Sequence, residues 1–422
     1  MRVLLISLGT GPSVEHGIAY SIKHHRPDHV IYFATDQSLS SRTKIEALLS
    51  PSAPASEVIR LENGDEPNEI YREACKALGG LQRDGINIIE DVYVDFTSGT
   101  KAMSAGLFAA ALAYSVRNLI YISGQRDSDG RVISGTERVM TFPPSEIFAD
   151  HLLHQIVELF NKRLFGAALQ LIEDGLREIH VQKLRQALGE LHKLCLAYQA
   201  WDWFDHSKAM EHFEQIERDV IDHWSRQIGS NKGWVLQIAK ELRSEGPITK
   251  RYSEKLLIDL WLNVERRMEE EHWIDAVARL YRLVELIAQA CLAQKYELDT
   301  GALEVDKLPE HVRSKYEQLR DERGRVRLGL KQAYALLEDL KDPLGKHYKN
   351  LEGVLQARNE SIAGHGLQPV KQEICEKLAG QVRELLDETI SDWERQAEKG
   401  RFAQIGYNKA HEVHHQSRAR SR

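Results

Sequence analysis

Cysteine is scarce and scattered: the 422 residues hold only Cys75, Cys195, Cys291 and Cys375. None belongs to a C-x-x-C pair, which argues against a thiolate zinc site or a dithiol redox centre. Free buried thiols in a reducing compartment are the expectation. No run of about 18 apolar residues occurs, so no transmembrane helix and no membrane partner are expected. The apolar start Val3-Leu4-Leu5-Ile6 lacks the small-residue cleavage site of a signal peptide and reads as a buried strand, so the expected location is cytoplasmic. Positive charge is not in excess either: 56 Lys and Arg stand against 63 Asp and Glu, a net charge of −7. That balance argues against a protein that coats nucleic acid with its whole surface, but it leaves room for a small basic groove. What is present is length. A chain of 422 residues is too long for one ordinary core and implies two or three domains.

The first third alternates strand and helix signals. Short β-branched runs at Val3–Ser7, Val30–Ala34, Val92–Phe96 and Leu119–Ile122 are separated by helical stretches. Such continuous runs suit a parallel sheet covered on both faces, and a doubly wound α/β domain over about residues 1–145 follows. After Pro143-Pro144 the pattern changes. From Ser145 to about Arg395 apolar residues recur at helical spacing, as in Ala276, Leu280, Leu283, Val284 and Ile287. This part is long enough for two helical units, with a boundary near residue 250. The basic segment from Arg401 reads as a frayed or flexible tail.

Two places carry chemistry. Ligands of an open α/β sheet bind at the carboxyl ends of its strands. Three loops rich in hydroxyls and glycines converge there: Ser7-Leu8-Gly9-Thr10-Gly11, Thr35-Asp36-Gln37-Ser38 and Thr97-Ser98-Gly99-Thr100-Lys101. Backbone N–H groups at a helix start, with Ser and Thr hydroxyls, suit phosphate oxygens, and Lys101 would add a charge. Neither a dinucleotide fingerprint nor a P-loop is present, because position 14 is Val and the Thr97–Lys101 loop lacks the four-residue frame. The second place is Arg358-Asn359-Glu360-Ser361-Ile362-Ala363-Gly364-His365-Gly366. The helix before it is expected from about Leu344. Seven residues is nearly two helical turns, so Arg358 and His365 would share a face if the helix continued past the break that Gly364 and Gly366 suggest. Histidine moves protons near neutral pH, and arginine stabilises charge on a phosphate, a combination that makes sense for RNA cleavage.

Other patterns are set aside. His411-Glu412-Val413-His414-His415 matches the H-E-x-x-H zinc-protease signature, but it sits in the tail without apolar periodicity. Trp201-Asp202-Trp203-Phe204-Asp205-His206 is expected to be helix packing. The charged runs around Arg266–Glu271 and Asp321–Arg327 are expected to be solvated helix faces. Residues 232–271 lack the recognition helix of a DNA-binding pair.

Taken together, the two sites resemble a known family. The N-terminal part resembles CARF domains, the Rossmann-like sensors of CRISPR-associated proteins, on Ser7-Leu8-Gly9-Thr10 and on Asp95-Phe96-Thr97-Ser98-Gly99-Thr100-Lys101-Ala102-Met103. The C-terminal part resembles HEPN ribonuclease domains, whose R-x(4–6)-H motif Arg358 to His365 fits at its long end. The helix Asp275–Leu292 with Tyr281-Arg282-Leu283-Val284-Glu285 looks like the packing helix of such domains. The resemblance implies a Rossmann-like α/β CARF domain (1–145), an all-α linker (146–250), an all-α HEPN domain (251–398) and a basic flexible tail (399–422). It implies a metal-independent endoribonuclease of type III CRISPR antiviral defence, activated by cyclic oligoadenylate. Such an enzyme cuts single-stranded RNA, leaves 2′,3′-cyclic phosphate ends and acts as a homodimer. Arg358, Asn359 and His365 are carried over as catalytic. Thr10, Thr97, Ser98, Gly99, Thr100 and Lys101 are carried over as ligand contacts, and Ser7, Gly9 and Thr35 join them from the loops. No metal and no other cofactor is implied. The alternative is a ligand-binding regulator without nuclease activity, or one that slowly cleaves its own cyclic oligoadenylate.

Overall fold

The structure, a computed structural model, describes residues 1–406 except 12–13, 127, 129–131, 134, 143–144, 180, 217–224 and 244–246. It divides into two compact units, residues 1–152 with 177–185, and residues 153–176 with 186–422.

The first unit runs β1 (Val3–Ser7), α1 (Val14–His25), β2 (His29–Ala34), α2 (Ser40–Leu49), β3 (Ala55–Arg60), α3 (Pro67–Arg83), α4 (Ile88–Asp91), β4 (Val92–Asp95), α5 (Lys101–Ala113), β5 (Asn118–Ser123) and β6 (Arg138–Phe142). The strands form one sheet in the order β3-β2-β1-β4-β5-β6. Strands β1 to β5 pair in parallel and β6 pairs antiparallel to β5. Side chains alternate between faces along each strand. Val3, Leu5, Phe33 and Val94 face a core closed by α3 and α5 through Ile70, Leu78 and Leu107. Leu4, Ile6, Tyr32 and Ile122 face the opposite core, closed by α1 and α2 through Ile18, Ile22 and Ile45. Burial on both faces is why the inner strands read as unbroken apolar runs. The chain winds outward from β1 to β3, then returns to β4 on the other side of β1. Strand order therefore reverses between β1 and β4.

Sequence reading finds the four inner strands and misses β3 and β6. Those two are the sheet's edges. Along Ala55–Arg60 the side chains are only exposed or half-buried. An edge strand carrying charge needs no apolar run, and the signal vanishes with it.

From Ser145 onward the described elements are helical. They are α6 (Ser145–Asn161), α7 (Phe165–Glu178), α8 (Gln182–Asp202), α9 (His206–Glu214), α10 (Arg226–Arg243), α11 (Glu254–Glu269), α12 (Trp273–Tyr296), α13 (Glu310–Glu317), α14 (Leu330–Asp339), a 3-10 stretch at Pro343–Leu351, α15 (Glu352–Glu360), α16 (Gln372–Thr389) and α17 (Trp393–Ala397), with short 3-10 turns at Ile248–Lys250 and Val305–Lys307. Helix α12 is the axis of the second unit's C-terminal part. It buries Ala276, Leu280, Leu283, Val284 and Ile287 along one stripe, and it packs against α11, α14, α15 and α16. Among the described residues no helix is long and apolar enough to cross a membrane.

The rest of the second unit converges on one buried carboxylate. Asp259 of α11 accepts hydrogen bonds from Trp201 Nε1 (3.0 Å) of α8 and Trp234 Nε1 (2.9 Å) of α10, and it meets His206 Nε2 at 2.8 Å at the start of α9. A second buried carboxylate, Asp202, takes Arg266 Nε at 2.9 Å and also Arg267. The expected solvated face at Arg266–Glu271 is therefore not solvated at its start. Arg266 is 5% exposed, and its guanidinium lies 3.9 Å from the centre of the Phe402 ring. Both partners are distant in sequence, so a local charge pattern carries no sign of them. The run Asp321–Arg327 is a turn rather than a helix face, and Val326 bridges to Leu303 and Arg320.

Residues 399–405, expected to belong to a flexible tail, are held in place. Asn231 Nδ2 donates to the Lys399 and Arg401 carbonyls (2.8 Å each), and its Oδ1 accepts the Ala403 N–H (3.0 Å). Asn161 makes the same reciprocal pair with Ile405, 2.9 Å in each direction. Each side-chain amide thus does what a neighbouring strand would do for this extended segment. The remainder of the tail, including His411–His415, lies outside the described residues.

Asp259→Ala leaves three buried donors without an acceptor. Each unsatisfied group costs about 1–3 kcal/mol, so a loss of about 3 kcal/mol or more is expected in denaturant unfolding. A loss under about 0.5 kcal/mol would remove Asp259 from this role.

Candidate functional site

A cavity of about 550 Å³ opens at the carboxyl ends of β1 to β4, at the point where strand order reverses. Three of its walls are the expected loops: Gly9 to Gly11 after β1, Thr35 to Ser38 after β2, and Thr97 to Thr100 after β4. The fourth wall, Leu61 to Asp65 after β3, is missed along with its strand, although Asn63-Gly64-Asp65 is turn chemistry that could have marked it.

The loops after β1 and β4 are pressed together. Gly9 N donates to Ser98 Oγ (3.0 Å), and a Cβ on Gly9 would lie 2.8 Å from Gly99 N. Gly99 itself has φ of +89°, where a side chain is strained, and its Cβ would meet Met103 Sδ at 2.9 Å. Thr100 caps α5: its Oγ1 accepts Met103 N (3.1 Å) and donates to the Gly64 carbonyl, which ties the β4 loop to the β3 loop. Thr97 Oγ1 accepts Ile122 N (2.8 Å). Beneath these, Asp95 is buried and accepts from Ser21 Oγ (2.6 Å) and Thr97 N (2.9 Å), and burial raises its pKa above the ordinary carboxylate value.

Two expected contacts are not brought to the cavity. Ser7 is fully buried and donates its hydroxyl to the Ser98 carbonyl, so it positions the loop from below. Lys101 opens α5, is exposed, and is not part of the wall. Among the described residues no Lys or Arg lines this cavity. Its charged wall residues are Asp36, Glu62 and Asp65, and Asp36 faces Arg60 at 3.8 Å. A phosphate here would be met by backbone N–H groups and the start of α5 rather than by a cation, while the carboxylates suit hydroxyl and amino donors.

The second unit holds the Arg358 loop. A 3-10 stretch occupies Pro343–Leu351, α15 begins only at Glu352, and the helix stops at Glu360. Arg358 and His365 therefore do not share a continued helical face. The chain doubles back instead: Gly364 N donates to Ser361 O (2.9 Å), His365 N to Asn359 O (3.0 Å), and Gln368 N to Glu360 O (2.8 Å). Glycine permits this. A Cβ on Gly364 would lie 2.5 Å from Arg358 O, and one on Gly366 would run into the Glu360 carbonyl. Ser361, which sequence reading passed over, is fully buried. Its hydroxyl donates to Arg358 O (2.9 Å) and accepts Ala363 N (3.2 Å), locking the turn.

Arg358 Nη1 donates to Asn359 Oδ1 (3.1 Å), and its guanidinium carbon sits 5.2 Å from the centre of the Tyr281 ring on α12. Among the described residues no carboxylate pairs with it. That sets it apart from Arg163, Arg266, Arg267, Arg282 and Arg401 of the same unit, all of which are paired. A ring holds a guanidinium without neutralising it. The three expected residues are thus gathered on one turn: Arg358 half-buried, with Asn359 and His365 exposed. The His365 ring makes no hydrogen bond to the other two among the described residues. Two large apolar side chains flank it in the open, Ile362 at 70% and Leu367 at 87% exposure. Among the described residues no group of three or more His, Cys, Asp or Glu is gathered as for a metal ion.

Gly366→Ala is expected to open this turn. The His365 and Gln368 amides should lose hydrogen-exchange protection by at least tenfold, while α12 amides keep theirs. Unchanged protection at both would contradict the close approach.

Comparison with known proteins places this geometry. The family model described as the Csm6 6H domain matches residues 148–243, and the model described as the Csm6 HEPN domain matches residues 247–389. No curated protein matches significantly. Among solved structures, Csm6 of Enterococcus italicus, bound to cyclic hexa-2′-fluoro-hexa-dAMP, is similar with a TM-score of 0.60 at 13% identity, covering 95% of this chain and 100% of its own. That likeness is one of fold. Can2 of Sulfobacillus thermosulfidooxidans, in complex with cyclic tetra-adenylate, aligns over 49% of this chain and 68% of its own at 11% identity and a TM-score of 0.25, too low to carry an argument. The 6H and HEPN matches adjoin one another, together span more than half of the residues, and include the Arg358–His365 turn; the chain belongs to the Csm6 family of CARF–HEPN proteins.

Proposed function

We propose that this protein is a cyclic-oligoadenylate-activated endoribonuclease of type III CRISPR defence, acting in the cytoplasm on single-stranded RNA without a metal ion. The observation that carries the reading is Arg358. It is a cation held by a ring and an amide on a tight turn with His365, inside the segment that matches the Csm6 HEPN model. An arginine left with its full charge suits a phosphate whose negative charge grows in the transition state.

The reaction follows from that placement. The RNA 2′-hydroxyl attacks the adjacent phosphorus and loses its proton. The P–O5′ bond breaks, and the leaving oxygen takes up a proton. The products are a 2′,3′-cyclic phosphate and a 5′-hydroxyl. His365 moves a proton at one of these oxygens, Arg358 stabilises the phosphorane, and Asn359 orients Arg358 through its amide oxygen. Ile362 and Leu367, exposed on either side of His365, are read as the apolar rim that a second copy of the chain covers, so the working enzyme is a homodimer with two such turns facing each other.

Residues 1–145 form the Rossmann-like CARF sensor and hold the activator in the 550 Å³ cavity through Gly9, Thr10, Thr35, Thr97, Ser98, Gly99 and Thr100. Ser7 supports the loop from beneath, and Lys101 serves a ligand reaching beyond the wall or a second copy. Residues 146–250 couple the sensor to the HEPN domain at 251–398. The activator shifts the enzyme toward its cutting state by binding that state more tightly.

The test is RNA cleavage in chelator with cyclic tetra- or hexa-adenylate. Activator-dependent cleavage is expected, and at least a hundredfold loss in Arg358→Ala and in His365→Ala. No activator-dependent cleavage by the unaltered chain, or full activity in His365→Ala, overturns the reading. Tyr281 supports Arg358 and should behave accordingly. Tyr281→Leu is expected to lower kcat about tenfold with KM little changed, and Tyr281→Phe, which keeps the ring, to stay within about twofold. Equal rates for Leu and Phe variants would remove the ring from the mechanism.

A further inference from the structure

The outer surface of the first unit carries a basic groove that shares no residue with the 550 Å³ cavity. In a parallel sheet each crossover helix starts at the carboxyl ends of the strands and returns to their amino ends. Helix α5 does this between β4 and β5, so its last turn stands at the amino-end side. A groove of about 730 Å³ lies there between α3 and the end of α5, with Tyr71, Arg72, Lys76, Gly79, Arg83 and Tyr114 in its wall. Among the described residues no carboxylate lines it.

Arg72, Lys76, Gly79 and Arg83 follow one another at helical spacing and form one stripe of α3, turned away from Ile70, Ala74 and Leu78 in the core. From Arg72 to Arg83 the stripe runs about 16 Å. A solvated helix face needs only charges, and this one has more. A Cβ on Gly79 would lie 3.0 Å from Tyr114 Oη, so a glycine in mid-helix makes room for that ring. Arg83 Nε donates to the Gly79 carbonyl (3.1 Å), which draws the guanidinium back along the groove and leaves its Nη groups as donors. Lys76 meets Glu73 at 2.7 Å, an exposed pair worth about 1 kcal/mol or less, so a phosphate can take its place. Arg72 has no ion pair among the described residues, whereas Arg42, Arg60 and Arg117 of the same unit are paired. Tyr71 is a large ring left 38% exposed beside these cations.

We propose that this groove is a contact for single-stranded RNA outside the Arg358 turn, with phosphates on Arg72, Lys76 and Arg83 and a base stacked on Tyr71. The openness of the groove selects a strand. Tyr71, Arg72, Lys76 and Arg83 are all exposed, so a small ligand would not be enclosed. A strand gains instead from contacts repeated along its length. An acidic peptide would use the cations and leave the ring idle. The identity of the strand rests on RNA being the substrate.

The experiment is fluorescence anisotropy of a labelled single-stranded RNA with the full chain carrying His365→Ala, which keeps the strand whole, in chelator at about 50 and about 200 mM salt. Replacing Arg72, Lys76 and Arg83 together by Ala is expected to weaken binding at least tenfold and to make the salt dependence shallower by about 2 in the log–log slope. Tyr71→Ala is expected to weaken binding about tenfold with the slope kept, and Tyr71→Phe to stay within about twofold. All these side chains are exposed, so the melting temperature should not move. With His365 intact, the triple variant should raise KM for RNA and leave kcat unchanged. If the unaltered chain cuts RNA and the triple variant matches it in affinity, slope and KM, the groove is wrong and the cutting reading stands. Displacement of the RNA by polyglutamate as readily as by unlabelled RNA of equal charge also overturns the groove as an RNA site. If RNA binds through the groove but is never cut in the presence of activator, the cutting reading falls and the groove stands.

Discussion

At both sites the backbone comes closer to itself than a side chain allows. Gly9 and Gly99 let the loops after β1 and β4 touch at the reversal point of the sheet, and Gly364 and Gly366 let the chain turn back onto the end of α15. The rest of each site depends on that proximity. With the first two loops in contact, Ser98 receives Gly9 N, Thr100 reaches the Gly64 carbonyl, and a cavity forms around them. With the turn closed, Ser361 fastens the carbonyl of Arg358, and His365 is delivered back to Asn359 by its own amide. Substituting these glycines would test geometry before it tested chemistry, because no contact with a ligand is needed for a Cβ to be excluded there.

Charge is distributed with similar economy. The chain carries a net −7, and most arginines of the second unit are spent on carboxylates, some of them buried, as with Arg266 and Arg267 on Asp202. Removing one partner of such a buried pair would leave an uncompensated buried charge. Arg358 is left out of this pairing and lies over Tyr281 instead. An acidic protein with an unpaired, ring-held arginine at one turn can act on RNA locally without attracting it everywhere. The cavity of the first unit follows a different rule. It has no cation in its wall among the described residues and offers N–H groups and hydroxyls instead.

How much of this was legible in the sequence depends on how far apart the partners are. The inner strands β2, β1, β4 and β5 were readable because burial on both faces writes an apolar run into each. The edges β3 and β6 were not, and the Leu61–Asp65 wall was lost with β3. The turn at Arg358–His365 is marked by its glycines, which suggest a helix break, and a shared face for the two residues holds only if the helix continues; the close approach of Gly364 and Gly366 to the preceding residues shows why it ends. Lys101 reads as a phosphate ligand because a helix start suits one, but it is exposed and not part of the cavity wall. Arg266 read as solvated because Asp202 and Phe402 lie far along the chain. The grip of Asn161 and Asn231 on residues 399–406 was invisible for the same reason. Tyr281 stood in a recognised helix, and its relation to Arg358 needed coordinates.

The central claim is that the Arg358–His365 turn cuts RNA through the substrate's own 2′-hydroxyl. The most direct measurement is mass spectrometry of the fragments made in chelator with activator present, from an RNA and from the same sequence with every 2′-hydroxyl replaced by hydrogen. The account predicts 2′,3′-cyclic phosphate and 5′-hydroxyl ends from the RNA and no cleavage of the deoxy strand. Fragments carrying 5′-phosphates, or cleavage of the deoxy strand, would contradict it.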